Sequence, residues 1–147
     1  MTGSNTGIGV PTALALAKTG ARVVFACRTR EKALRAMDGV VEASKGKVAR
    51  EKLSFLPLDL SSLLSTKVFV HAFLGAQARD AWGPLSLLVC NAGIFNASGG
   101  YEETVDGFEK AFQVNFLANV VLVKGLMPAL RVGIAAGQSG RVVFVSR

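Results

Sequence analysis

Short apolar runs of strand length alternate along this chain with longer segments of helical spacing, and no other feature restricts its fold as much. β-rich runs fall at Arg22 to Cys27, Lys52 to Leu58, Leu85 to Cys90 and Arg141 to Ser146, each short enough to be a buried strand. Helical spacing fills the intervals at Thr6 to Thr19, Glu31 to Ser44, Ser62 to Ala81 and Asp106 to Arg131. The second of these carries Ala33, Met37, Val40, Val41 and Ser44 along one face, and the third Leu64, Val68, Ala72 and Ala76; the fourth is the longest and most apolar. Ser61 or Ser62 suits the start of the third helix, and Gly20 ends the first where a left-handed residue is needed. Such alternation predicts an α/β fold, a doubly wound parallel sheet in a single domain over residues 1–147. Half of the residues are hydrophobic and only 18% charged, which suits strands buried on both faces.

The most apolar stretch, Phe116 to Leu130, is interrupted by Asn119, Lys124 and Pro128, short of the ~18 unbroken apolar residues that mark a membrane span. It reads as an interior helix of a soluble chain with no transmembrane span. The formal charge is +7, yet the basic residues run from Lys18 to Arg147 with acids interleaved, which favours a solvated surface over a nucleic-acid partner. Cys27 and Cys90 sit inside the apolar runs at no metal-ligand or disulfide spacing, so two reduced, buried thiols and no metal site are expected. No secretory segment precedes the first motif, and the expected location is the cytoplasm or an organelle, the plastid among them.

The chemistry-bearing feature opens the chain: Thr2-Gly3-Ser4-Asn5-Thr6-Gly7-Ile8-Gly9, directly before an alanine-rich helix. Glycines let the backbone turn tightly and approach a pyrophosphate, and the helix start offers free amides and the positive end of its dipole. A glycine cluster by itself reads nearly as well as a plain turn. Context strengthens it, because Thr-Gly-x-x-x-Gly-x-Gly resembles the fingerprint of the short-chain dehydrogenase/reductase family, and four later segments agree in order. These are Phe25-Ala26-Cys27-Arg28, Leu58-Asp59-Leu60, Asn91-Ala92-Gly93, and Gly107-Phe108-Glu109 leading to Val114-Asn115. The wording around Asn-Thr-Gly-Ile-Gly and Ala-Cys-Arg is most similar to the retinol-dehydrogenase and protochlorophyllide-reductase side of the family.

That resemblance implies an NADP(H)-dependent oxidoreductase acting on the alcohol, carbonyl or double bond of a small lipophilic substrate. Gly3, Ser4, Asn5, Thr6, Gly7, Ile8 and Gly9 would cradle the pyrophosphate, and Asp59 with Leu60 would meet the adenine. Asn91, Ala92 and Gly93 would line the cofactor. Arg28 stands where NAD-selective relatives place an Asp, so NADP is expected over NAD. Asn115 matches the family's active-site Asn, holding a backbone kink and a water. Ser146 aligns with the first of two adjacent serines and is the second catalytic candidate.

Each residue also has a plainer reading: Asn115 as a satisfier of main-chain groups in a buried helix, Asp59 as part of a helix cap with Ser62, and Arg28 or Ser146 as an ordinary strand-end residue. His71 falls on a helix surface, and Tyr101, the single tyrosine, lacks a Lys four residues on. Against the family pattern the first strand before the loop and the Tyr-x-x-x-Lys pair are missing, so the sheet is expected to be incomplete, the isolated chain poorly stable and without turnover. The other classes are a non-catalytic nucleotide-binding or decoy fragment whose helix at 106–131 pairs with an intact relative, and a basic nucleic-acid adaptor; the same helix is the expected surface of a homo-oligomer.

Overall fold

The computed structural model of the chain describes residues 1–79, 82–95 and 99–146. They gather into two compact units, Met1–Leu58 and Asp59–Arg147.

In the first unit, helix α1 (Gly9–Lys18) leads to strand β1 (Val23–Cys27), helix α2 (Arg30–Ala43), a 3₁₀ turn (Arg50–Lys52) and strand β2 (Leu53–Pro57). The two strands run parallel, with Phe25 opposite Phe55 and Cys27 opposite Pro57. The core gathers Ala13 and Ala17 of α1, Phe25 and Cys27 of β1, and Met37 and Val40 of α2. Small alanines on α1 let its backbone approach the strand closely, and the larger side chains fill the remaining space. The apolar face read from α2 is the buried one, with Ala33, Met37, Val40 and Ser44 all inside. Helix α1 starts at Gly9, not at Thr6, because Gly7 sits at φ +52°, outside the helical region. Pro11 falls in its first turn, where a missing N–H breaks no intrahelical bond. Gly20, at φ +91°, ends it as expected.

The residues ahead of the glycine loop pair with β1. The Met1 amine donates to Val24 O at 3.0 Å, Ala26 N–H donates to Met1 O at 3.0 Å, and Gly3 N–H donates to Ala26 O at 3.3 Å. Thr2 thus makes a parallel bridge to Ala26 on the edge of β1 that β2 leaves open. Three residues do in short what a full strand would do, satisfying main-chain groups that would otherwise be buried unpaired.

The second unit contains α3 (Leu63–Ala78), β3 (Leu87–Cys90), a short α4 (Lys110–Phe112), a π-helical turn (Gln113–Leu117), α5 (Ala118–Ala135) and β4 (Arg141–Phe144). Strand β3 pairs in parallel with β4, Leu87 opposite Arg141 and Cys90 opposite Phe144. The four strands therefore form two parallel pairs. The expected buried face of α3 needs correction. Leu64 and Val68 are exposed, and the inward face is Thr66, Phe69, Val70, Phe73 and Ala76. This helix is apolar nearly all round, so periodicity alone does not choose a side. The phenylalanines choose it, with the Phe73 ring 6.2 Å from Phe69 and 5.2 Å from Trp82. Ala81, the expected end of this helix, and Arg147 lie outside the described residues.

The long helix expected at Asp106 to Arg131 begins at Lys110 and runs to Ala135, interrupted by the π-turn. It is interior along one stripe only: Leu122, Leu126, Ala129 and Leu130 are buried, whereas Phe116, Val132 and Ile134 are exposed. By length and composition Lys110–Ala135 would suffice to cross a membrane. Its packing against α3 and β3 is that of a core helix. Glycines set how closely it packs. A Cβ on Gly125 would stand 2.7 Å from Val70 Cγ2, and one on Gly133 would collide with the Leu85 carbonyl.

The Leu85 carbonyl is main chain and cannot swing aside. Gly133→Ala is therefore expected to destabilise the chain by about 1–3 kcal/mol, whereas Gly39→Ala, in open space within α2, is expected to stabilise it by about 0.5–1 kcal/mol. Paired chemical denaturation curves followed by circular dichroism check both signs, and a neutral Gly133→Ala would contradict the packing described.

Candidate functional site

Within the first unit the glycine loop is bolted to the end of β1. Ser4 is fully buried; its hydroxyl donates to Met1 O at 3.4 Å and lies 3.5 Å from Cys27 Sγ. Gly3 and Gly7 take φ +61° and +52°, a region where other residues are strained. Gly9 is buried at the start of α1, Asn5 is half-buried, and Thr6, Gly7 and Ile8 are exposed. Ile8 occupies the N-cap and no side chain caps the first turn; Gly9 N–H is taken by Thr6 O and Pro11 has none, so the helix start keeps the Val10 amide and its partial positive charge for an outside acceptor. Arg28 follows β1 directly, exposed and without an ion pair among the described residues. A tight, positively polarised loop beside a free guanidinium fits a phosphorylated group.

In the second unit, Asp59 Oδ1 accepts from Ser61 N–H at 2.9 Å and from the Ser61 hydroxyl at 2.6 Å. Ser62 caps α3, its Oγ accepting from Ser65 N–H at 3.2 Å. The alternative that paired Asp59 with Ser62 in one cap is thus corrected: the Asp59 side chain braces the turn and Ser62 caps α3 without it. Asp59 Oδ2 has no partner among the described residues. Leu60 is buried, and its carbonyl accepts from Gln113 Nε2 at 3.3 Å.

Asn115 takes both main-chain groups of one residue. Ile94 N–H donates to its Oδ1 at 2.8 Å and its Nδ2 donates to Ile94 O at 2.9 Å. The helix is thereby fastened to the Asn91-Ala92-Gly93 turn that leaves β3, and a Cβ on Gly93 would sit 3.4 Å from the same Oδ1. Asn115 does satisfy main-chain groups, as the plainer reading has it, but they are those of Ile94 outside its own helix, and Asn115 itself is exposed. The expected kink is the π-turn itself. Asn119 Nδ2 donates to Val114 O at 3.3 Å and Asn115 O at 3.0 Å, covering carbonyls that the turn releases from α-helical register. Its Oδ1 is buried without a partner among the described residues.

Val145 N–H donates to Cys90 O at 3.0 Å, which continues the register so that Val145 stands level with Asn91 and Ser146 one residue further, past the carboxyl ends of β3 and β4. Ligands of open α/β sheets bind at such ends. Three residues that sequence reading passed over, Thr104, Asp106 and Gln113, form a bonded cluster behind Asn115. Buried Gln113 in an otherwise apolar helical run was the one available signal.

The model of the short chain dehydrogenase family matches residues 1–147. The chain belongs to that family. It is 40% identical over 145 residues to mouse (Mus musculus) polyprenol dehydrogenase, covering 99% of the chain and 40% of the relative. It is 38% identical over 146 residues to the WW domain-containing oxidoreductase of Danio rerio, covering 99% of the chain and 32% of that protein. The chain thus spans about a third of the length of these relatives. Among solved structures it is similar to a metagenomic short-chain oxidoreductase in complex with NADP, with TM-score 0.73 and 28% identity over 99% of the chain and 59% of that structure. A Pseudomonas aeruginosa RhlG/NADP complex matches with TM-score 0.72 and 29% identity, over 96% and 50% respectively. The fold is accordingly the incomplete Rossmann-like sheet of an oxidoreductase family.

Both thiols of this family member are buried and free, as their positions in the apolar runs implied. Burial pushes Cys27 up and carries Cys90 from 9.0 to about 11. A thiol whose folded pKa is raised stabilises the fold below its unfolded pKa, and that contribution is lost as pH rises through the folded value. Stability is therefore expected to decline between about pH 9 and pH 11. A disulfide-exchange reagent at pH 8 is expected to titrate both thiols rapidly only after denaturation. Rapid reaction of the native chain would contradict their burial.

Proposed function

We propose that this chain supplies the nucleotide-gripping part of an NADP(H)-dependent oxidoreductase acting on the alcohol or carbonyl of a small lipophilic substrate. The observation that carries the reading is the uncapped start of α1 behind positive-φ Gly3 and Gly7, beside the exposed, unpaired Arg28. The loop and the helix dipole suit a pyrophosphate, and Arg28 suits a ribose 2′-phosphate. Ten of the seventeen Lys and Arg, against four of the ten acids, fall in Met1–Leu58, a bias that favours an anionic ligand there. Asp59, through its open Oδ2, and Leu60 would meet the adenine. Asn91, Ala92 and Gly93 would line the nicotinamide end. The NADP complexes among similar structures support the cofactor class, and the printed name of the polyprenol relative supports a lipophilic alcohol.

NADPH supplies the hydride when bound, and this chain's residues bind and orient it. Asn115 holds the Asn91 turn, and Ser146 stands at the end of the adjacent strand, where it would meet a substrate oxygen. For proton delivery to that oxygen neither the tyrosine nor the histidine among the described residues is suitably placed. Tyr101 is 70% exposed, its hydroxyl donates to Glu103 at 3.3 Å, and desolvation followed by the Glu103 carboxylate pushes its phenol up. His71 is exposed on α3. Positioned acid–base groups contribute ~10²–10⁴-fold of rate, so the 147-residue chain is expected to bind cofactor without turning it over. Self-association through the exposed face of the long helix belongs to the same proposal, on the ground of the paired Phe112 and Phe116 rings, 5.5 Å apart. A purely non-catalytic pairing role is not favoured by membership of an oxidoreductase family.

Fluorescence titration with both cofactors tests the assignment. Wild type is expected to prefer NADPH to NADH, and Arg28→Ala to lose about tenfold or more in NADPH affinity with little change for NADH, since a charge-assisted bond contributes ~1.5–3 kcal/mol. Equal affinities in the wild type would sink the NADP assignment. Following NADPH absorbance with aldehydes, ketones and retinoids is expected to show no turnover, and turnover abolished by Ser146→Ala would overturn that part.

A further inference from the structure

The π-turn that aims Asn115 begins at Gln113, a polar residue with no exposed surface near the start of a long apolar helix. A buried amide is costly unless both ends are bonded, and here both are. Gln113 Oε1 accepts from the Thr104 hydroxyl at 2.5 Å, while Nε2 donates to Asp106 Oδ2 at 2.7 Å and to Leu60 O at 3.3 Å. Asp106 and the Leu60 carbonyl are acceptors only, so the amide has a single workable orientation.

The cluster reaches further. The same Asp106 Oδ2 accepts from Leu63 N–H at 2.8 Å, capping the first turn of α3 from a distant loop, where a negative charge also suits the helix dipole. Thr104 Oγ1 in turn accepts from Asp106 N–H at 3.3 Å and Phe108 N–H at 3.4 Å, folding that loop on itself. Gln113 is therefore tied to the Leu60–Leu63 corner by two routes, directly and through Asp106. Two residues on, Asn115 grips Ile94.

We infer that Gln113, held by Thr104 and Asp106, is the positioning residue that fixes the π-turn so that Asn115 clamps Ile94 and with it the Asn91–Gly93 turn. The consequence for cofactor binding rests on the function proposed above; the clamp does not. A π-turn is rare and gives way to continuous α-helix unless something holds it. Without the Gln113 anchor the turn is left with the Asn119 and Asn115 bonds alone, and a return to α register rotates every later side chain about the helix axis and takes Asn115 from Ile94.

Amide hydrogen exchange and the amide resonance of Ile94, measured by NMR on the ¹⁵N-labelled 147-residue chain, read the clamp directly. Gln113→Leu and Asp106→Ala are each expected to shift that resonance and speed its exchange by about tenfold or more, while the Phe25 amide in β1 keeps its rate. Asp106→Asn, which keeps an oxygen acceptor, is expected to restore most of the protection, a rescue that bulk loss of packing would not give. NADPH affinity by fluorescence is expected to fall alongside Ile94 protection by about tenfold. Unchanged Ile94 exchange in Gln113→Leu, or Asp106→Asn as damaging as Asp106→Ala, overturns the inference. If Gln113→Leu fails to fold, the half-buried Asp106→Ala and Asp106→Asn pair decides. Failure of the wild type to bind NADPH defeats the cofactor reading and leaves the Ile94 result to judge the positioning.

Discussion

One register change in a helix organises the second unit. Between Gln113 and Leu117 the helix opens from α to π geometry, which releases the Val114 and Asn115 carbonyls and turns the Asn115 side chain away from its own helix. Everything around it answers that change. Asn119 covers the released carbonyls, Asn115 spends both ends of its amide on the N–H and C=O of Ile94, and Gln113 is anchored to Leu60 and, through Asp106, to the start of α3. A helix of uniform α register would offer none of these bonds in the same directions.

The first unit depends on a different economy. Its core is built by small residues on α1, large ones on β1 and α2, and a three-residue extension at Met1–Gly3 that satisfies the open side of β1. The glycine loop is rigid because Ser4 is buried against Cys27 and Met1, and because Gly3 and Gly7 accept dihedrals that other residues resist. A loop held in this way loses little entropy on receiving an anion, and preorganisation of that kind favours binding.

Family membership and geometry agree where they overlap. The family match spans 1–147, and the segments that carried the resemblance, Gly3–Gly9, Asp59–Leu60, Asn91–Gly93 and Asn115, occupy turns and strand ends. Turns at the carboxyl ends of parallel strands are where backbone amides and short side chains remain available, so chemistry settles there whatever the substrate.

Strand and helix order, the parallel class of the sheet and the buried face of α2 were legible in the sequence, because each follows from period and composition within a dozen residues. The motifs were legible too, since glycines and an Asn-Ala-Gly turn carry local backbone demands. The buried side of α3 was not: its apolar residues surround the axis, and the packing of Phe69 on Phe73, of Phe73 on Trp82 and of the helix on α5 selected one face. The short parallel bridge at Thr2 needed Ala26 to become visible. Nor was the π-turn readable, because its stabilising partners, Leu60, Ile94, Thr104 and Asp106, are scattered along the chain and meet Gln113 and Asn115 only after folding. Local periodicity fixes what a segment prefers to be, whereas hydrogen bonds between distant segments decide where that preference is broken.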